Sequence, residues 1–265
     1  MQYGEIVNLG VHRLMCGDAK KREDVEKLIS DDKVDLVLTD PPYGMKIQSK
    51  VGNVGGGNPN IAFQQVAQHM YTIGGNNGSP HDIEKLKSAS INTDVRSRRY
   101  PLLIGDNNQD TARKNYEIVK DLCKKQIIWG GQYFADFLPI NGGWIFWDKL
   151  TGATDFSDGE LAWRSWGKKV CKYEHLWNGV IREGSRKLNG SSRIHPTQKP
   201  VELHMKILQD FSNEGDTVLD CFGGSGTTLI ACNETNRRCL MMELSPEYCD
   251  VIIDRYNNIT QQLRW

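Results

Sequence analysis

Asp216–Cys221 is a short apolar run that breaks into Phe222-Gly223-Gly224-Ser225-Gly226. The chain then passes through Thr227–Asn236 to a second apolar run, Arg238–Leu244. This succession predicts strand, glycine turn, helix and strand. The same alternation recurs upstream. Strands are predicted at Val11–Cys16, Asp35–Thr39, Gln126–Trp129 and Trp144–Asp148, with short ones at Leu161–Trp166 and Tyr173–Trp177. Helices are predicted at Lys20–Ser30, Asn115–Lys124 and Pro200–Phe211, and a last one runs from Ser245-Pro246 to about Leu263. Strands that alternate with helices make an α/β fold, a mostly parallel twisted sheet with helices on both faces.

In such sheets ligands sit at the carboxyl ends of the strands. Three candidate elements fall on that rim. The first is the glycine loop, whose glycines allow a sharp turn and a ligand close against the backbone. No Lys-Ser or Lys-Thr follows it, so it is not a Walker loop. A bare loop of this kind reads equally well as a tight turn. Its context adds weight, because the next strand ends in Glu243, about 20 residues on, where an acid suits a ribose diol. The second is Asp40-Pro41-Pro42-Tyr43, which ends the strand Asp35–Thr39. Two prolines cannot donate to a ladder. The tetrapeptide therefore sets one carboxylate, one proline carbonyl and one flat ring at the mouth of the sheet, a set able to grip a planar group bearing an NH2. The third is His195-Pro196-Thr197-Gln198-Lys199-Pro200, a polar turn before a helix. Lys199 can pair there with a carboxylate. His195 alone reads as part of a capped helix start.

The 265 residues carry 33 basic and 33 acidic side chains, so global charge argues for no partner. A polyanion site must be a local patch. One exists between Arg164 and Lys199, where nine basic residues face only Glu174 and Glu183. The bland reading is a solvated face. The seven cysteines include no C-x-x-C pair, which disfavours both a disulfide framework and a zinc ribbon. No metal site is expected. With no signal-peptide core near Met1 and no long apolar span, a cytoplasmic protein is expected. Residues 44–100 are turn-rich and weakly apolar. They read as a long loop beside the Asp40 element, serving as a lid or substrate arm or merely as filler.

Taken together, these elements resemble the permuted β-class of S-adenosylmethionine-dependent DNA amino-methyltransferases, over roughly residues 9–50 and 100–260. The segments Ile127–Gly131, Trp144–Asp148 and Glu160–Trp163 also look like phage-type members. The resemblance implies a Rossmann-like methyltransferase fold over residues 1–265, with the catalytic element ahead of the cofactor loop. It assigns catalysis to Asp40, Pro41, Pro42 and Tyr43. To the cofactor it assigns Asp18, Thr197, Lys199, Asp220, Phe222, Gly223, Gly224, Ser225, Gly226, Thr227 and Glu243. Residues 150–195 fall where the family carries its target-recognition region. That makes Arg164, Lys168, Lys169, Lys172, Arg182, Arg186, Lys187 and Arg193 the candidate contacts to double-stranded DNA. The resemblance leaves room for a homodimer and for a restriction endonuclease partner, and requires neither.

The implied chemistry is methyl transfer to an exocyclic amine. That nitrogen is a poor nucleophile because its lone pair is drawn into the ring. Asp40 and the Pro41 carbonyl would each accept an N–H and aim the lone pair, while Tyr43 stacks on the base. A base in a duplex must first be flipped out. In the family Asp-Pro-Pro-Tyr leans to adenine N6 and Ser-Pro-Pro-Tyr to cytosine N4. Cytosine N4 is the nearest alternative. RNA and protein-glutamine methyltransferases mostly carry Asn at the first position and place the cofactor loop first. A non-catalytic binding domain would need a decayed motif, and none is visible.

Overall fold

The structure is a computed structural model, and it describes residues 1–44, 90–91, 109–140, 142–151, 157–178, 181–190, 194–195 and 197–261. Its strands are β1 (Ile6–Leu9), β2 (His12–Cys16), β3 (Leu36–Thr39), β4 (Ser90–Ile91), β5 (Gln126–Trp129), β6 (Gly143–Asp148), β7 (Gly159–Arg164), β8 (Val170–Glu174), β9 (Trp177–Asn178), β10 (Ile181–Arg182), β11 (Thr217–Asp220) and β12 (Arg238–Glu243). Its helices are α1 (Arg22–Ile29), α2 (Asp110–Val119), α3 (Arg186–Asn189), α4 (Val201–Phe211), α5 (Thr227–Glu234) and α6 (Pro246–Gln261). Nine strands form one sheet in the order β1-β2-β12-β11-β3-β5-β7-β6-β8. From β2 to β5 every neighbouring pair is parallel. β1, at one edge, runs antiparallel to β2, and beyond β5 the strand β7 runs antiparallel to both β5 and β6.

Helices cover both faces, and the strand sequences show why. β3, β5 and β11 are buried at every position, as strands closed on both sides must be. Alternate residues go to opposite layers. Leu36, Leu38, Val218 and Met241 join α4, α5 and α6 in one core. Val37, Leu219, Leu240 and Met242 join α1 and α2 in the other. The direction of winding reverses between β11 and β3, which pair through Val218↔Leu36 and Leu219↔Val37. From β11 the chain returns through α5 to β12, whereas β3 leads past α2, in the opposite layer, to β5. Ligands of open α/β sheets lie at such a switch point. Asp40 and Asp220 flank it.

Several expected elements need correction. β1 was not anticipated. α2 spans Asp110–Val119 rather than Asn115–Lys124, because the first turn offers only Ala112 as an apolar residue and so gives little periodic signal. The strand expected over Tyr173–Trp177 is two strands. Tyr173 ends in the large sheet, while Trp177 pairs with Arg182 in a small sheet of β4, β10 and β9. Pro200 precedes α4 as its N-cap instead of occupying its first turn. The long loop expected over 44–100 lies outside the described residues, apart from Gly44 and β4. Within 150–195, β7 and β8 belong to the main sheet. Among the described residues no helix is long and apolar enough to cross a membrane.

Candidate active site

The carboxyl ends of β2, β12, β11 and β3 open into one cleft of about 1170 Å³, including space open to solvent. One wall is Gly17-Asp18-Ala19-Lys20 after β2, and the floor is the glycine loop after β11. Asp40-Pro41-Pro42-Tyr43 closes the far end. Among the described residues no cluster of His, Cys, Asp and Glu suits a metal ion.

At the loop end, the Glu243 carboxylate accepts the backbone N–H groups of Gly224 (2.7 Å) and Ser245 (2.8 Å). Its place at the end of β12 is tied to β2 by the Gly17 N–H donating to the Glu243 carbonyl at 3.0 Å. Gly224 stands at φ +51°, a conformation that a side chain would strain. The loop is clamped from outside by Arg255 of α6, which donates to the Ser225 carbonyl at 2.7 Å. From inside, Thr227 donates to the Lys199 carbonyl at 3.1 Å and lies 3.0 Å from the Ser225 hydroxyl. Asp18 accepts the Lys20 N–H at 3.0 Å and borders the cleft. Thr197 leans on His195, whose ring meets Tyr248 edge-on at 4.6 Å. Burial, and then Lys199, push His195 down to about 4, so it is neutral.

Asp220 lines the cleft yet is 3% exposed. Its carboxyl accepts the Thr39 hydroxyl (2.8 Å) and the Phe222 N–H (3.1 Å), tying β3 to the loop. Burial pushes it up to about 7, against the hydrogen bonds that lower it. A folded pKa above the unfolded value means that the native state keeps a proton the unfolded chain has lost. This contribution to stability is therefore complete below about pH 4 and declines as pH rises toward 7. Asp220→Asn keeps an acceptor and cannot ionise. Urea unfolding at pH 4.5 and 7.5 should show a decline for the parent that is smaller in the variant by a few kcal/mol. Equal slopes would contradict this reading of Asp220.

At the other end, Asp40 is engaged on both carboxylate oxygens. The Tyr43 hydroxyl donates to Oδ1 at 2.6 Å, and the Lys199 ammonium pairs with Oδ2. Lys199 also reaches Glu160 of β7 at 3.3 Å, and Glu160 in turn pairs with Lys149 at 2.6 Å. Beneath Lys199 lies the Trp129 ring, 5.0 Å from its nitrogen. Burial pushes the Asp40 carboxyl up, while Lys199 opposes that rise. Burial lowers an ammonium, yet Asp40 and Glu160 hold Lys199 above its ordinary value. Tyr43 packs against Tyr133 with ring centroids 5.0 Å apart.

The sequence-predicted rim residues line one cleft except Gly226, which turns the chain into α5 at φ +77°, and Lys199, expected at the cofactor, pairs with Asp40. Glu160, Lys149, Trp129, Tyr133 and Arg255 had no assigned role. Of these, Glu160 and Trp129 lie within the segments Glu160–Trp163 and Ile127–Gly131 that look like phage-type members, and the sequence carries no other signal for them. The basic stripe is revised more. Arg164 is buried, donates to the Lys169 carbonyl at 2.9 Å, and covers the Trp166 and Phe211 rings. Arg182 is buried against Trp177. Neither guanidinium faces solvent, so neither offers a phosphate contact as expected. Lys168, Lys169, Lys172, Arg186 and Lys187 are exposed, Lys172 paired with Asp148 and Glu174. Arg193 lies outside the described residues.

Comparison with known proteins gives this geometry a family. The chain is 39% identical to the Type II methyltransferase M.HpaI of Haemophilus parainfluenzae over 70 residues, 26% of this chain and 22% of that protein. It therefore spans well under two thirds of that relative. It is 26% identical to the orphan methyltransferase M.BamHII of Bacillus amyloliquefaciens over 257 residues, 87% of this chain and 91% of that one. The crystal structure of an M1.HpyAVI–SAM complex aligns over 92% of this chain and 98% of its own, at 22% identity and a TM-score of 0.49. A family model, N6_N4_Mtase, matches residues 106–254, more than half of the chain, and the chain belongs to that family of DNA methylases.

Proposed function

We propose that this protein transfers a methyl group from S-adenosylmethionine to the N6 amino group of adenine in duplex DNA. One observation carries the reading: Asp40-Pro41-Pro42-Tyr43 and the glycine loop with Glu243 line the same cleft. The loop end fits a nucleoside. Glu243 presents a carboxylate already oriented by two N–H groups, and Gly224 leaves the loop backbone bare. Asp18, Thr197 and the stretch Gly223–Ser225 complete that end. When bound, S-adenosylmethionine supplies the methyl group on a sulfonium, a good leaving group.

The chain's own residues do the rest. Asp40 accepts one N–H of the target amine and the Pro41 carbonyl accepts the other, so the lone pair is aimed and the nitrogen is drawn toward tetrahedral geometry. As positive charge develops on nitrogen, the Asp40 carboxylate holds it more strongly. Tyr43 offers a flat face to the flipped base, whose extrusion costs a few kcal/mol. The exposed Lys168, Lys169, Arg186 and Lys187 supply phosphate contacts.

Adenine rests on the acid at position 40. The test is to incubate the protein with S-adenosylmethionine and DNA of varied sequence, digest the product and separate the nucleosides. N6-methyladenine is expected. N4-methylcytosine would move the reading to the other base, and neither product would remove DNA as the substrate.

A further inference from the structure

We propose that Lys199 is a positioning residue for Asp40. Its ammonium, shared between Asp40 and Glu160 and seated on Trp129, keeps the Asp40 carboxylate charged and in one orientation inside the cleft. The inference rests on the proposed methyl transfer, because only an ionised Asp40 is a pure acceptor for an amine.

The geometry is a chain of alternating charges: Asp40, Lys199, Glu160, Lys149. It runs away from the cleft over two indole rings. Lys199 lies over Trp129 and Lys149 over Trp147, each at 5.0 Å, and the two rings meet edge to face at 6.2 Å. Lys199 is 5% exposed, Asp40 20% and Glu160 28%. A buried ammonium needs a counter-charge at hand, and here it has two. The same ammonium offsets the burial that would otherwise protonate Asp40.

The other groups facing the pair do not replace it. Tyr43 donates a neutral hydroxyl to Asp40. Asp220, whose own carboxyl is raised first by burial and also by Asp40, carries no positive charge and cannot help hold Asp40 ionised. His204 and His195 face Lys199, and burial, then Lys199 itself, push them to about 3 and 4, so both are neutral. Burial raises Glu160, but Lys199 and Lys149 override it and bring it to about 2. Glu160 therefore stays ionised and does not take up a proton. Its part is to hold Lys199, in competition with Asp40. That competition predicts opposite signs for two substitutions. Lys199→Met removes the cation and should raise the Asp40 pKa. Glu160→Gln removes a nearby negative charge and should lower it.

The experiment follows the Asp40 carboxyl by NMR in full-length protein labelled with [13C]aspartate, its resonance assigned through Asp40→Asn. The Asp40 midpoint should rise by about one unit or more in Lys199→Met. It should return toward the parent value in Lys199→Arg and move down in Glu160→Gln. Cofactor affinity, measured by calorimetry, should change less than threefold or so in Lys199→Met, a roughly 0.6 kcal/mol effect. An unmoved midpoint in Lys199→Met, or the same direction of shift in Lys199→Met and Glu160→Gln, overturns the proposal. So does a large loss of cofactor affinity with an unmoved midpoint, which assigns Lys199 to the cofactor. Should Lys199→Met fail to fold, the Glu160→Gln shift decides, and no downward movement refutes the proposal. The titration needs no DNA, so failure of the methyl-transfer reading would appear separately, as no methylated nucleoside beside shifted midpoints.

Discussion

Asp40→Ala should lower the methyl-transfer rate by about 10²–10³-fold or more, the scale of losing one preorganised polar partner of a developing charge. Cofactor affinity should stay close to the parent value. The two expectations separate because the cleft has two ends. Gly224, Ser225 and Glu243 make no hydrogen bond to Asp40, and their own geometry is held by Ser245, Arg255 and Thr227. The substitution also strips Lys199 of one of two counter-charges, while Glu160 remains at 3.3 Å to hold it. A stability loss of about 1–3 kcal/mol follows from that half-emptied pair, so turnover must be measured below the variant's melting range. Single-turnover transfer to DNA gives the rate, and calorimetry gives the affinity. A rate within tenfold of the parent would remove Asp40 from catalysis. Loss of cofactor binding would instead show that the two ends of the cleft are not independent.

What was legible in the sequence is what strand ends make local. Asp40, Asp220 and Glu243 each terminate a strand. Once the strands are parallel, their carboxyl ends share a rim without further information. The illegible part is tertiary. Lys199 and Asp40 are 159 positions apart, and nothing in the turn at 195–200 shows which carboxylate the lysine meets. Glu160 opens a strand that runs antiparallel to β5, so its amino end, not its carboxyl end, reaches the rim. A carboxyl-end rule passes over it. Arg164 and Arg182 illustrate the opposite error. Counted along the chain they are charges on a basic stripe, but aromatic rings cover them, and a guanidinium stacked on Trp or Phe is a packing element. Tyr173 and Trp177 are both buried and an even number of residues apart, so periodicity alone merges two strands that pair in different sheets.

Gly130→Ala should block the proposed methyl transfer through Tyr43 while leaving the fold and the cofactor end in place. Gly130 follows β5 at φ +69°, a left-handed conformation that costs a residue with a side chain about 1–2 kcal/mol. Sterics add a directed effect. A Cβ there would lie 2.6 Å from Tyr43 Cδ1 and 2.7 Å from Cζ, inside the ring's van der Waals envelope. The backbone at Gly130 cannot easily retreat, because its N–H donates to the Leu161 carbonyl at 2.8 Å and its carbonyl accepts the Tyr133 N–H at 2.9 Å. Tyr43 must therefore move, and in moving it gives up the stack on Tyr133 and the hydroxyl on Asp40. The expected result is a melting point lower by a few degrees, unchanged cofactor affinity, and a transfer rate reduced at least as far as in Tyr43→Ala. The double variant Gly130→Ala/Tyr43→Ala distinguishes the causes. If the methyl acts only by displacing the ring, adding it to Tyr43→Ala should cost no further rate, although the backbone strain would still lower stability. A further large drop in rate would place Gly130 itself, and not the tyrosine it admits, at the centre of the effect.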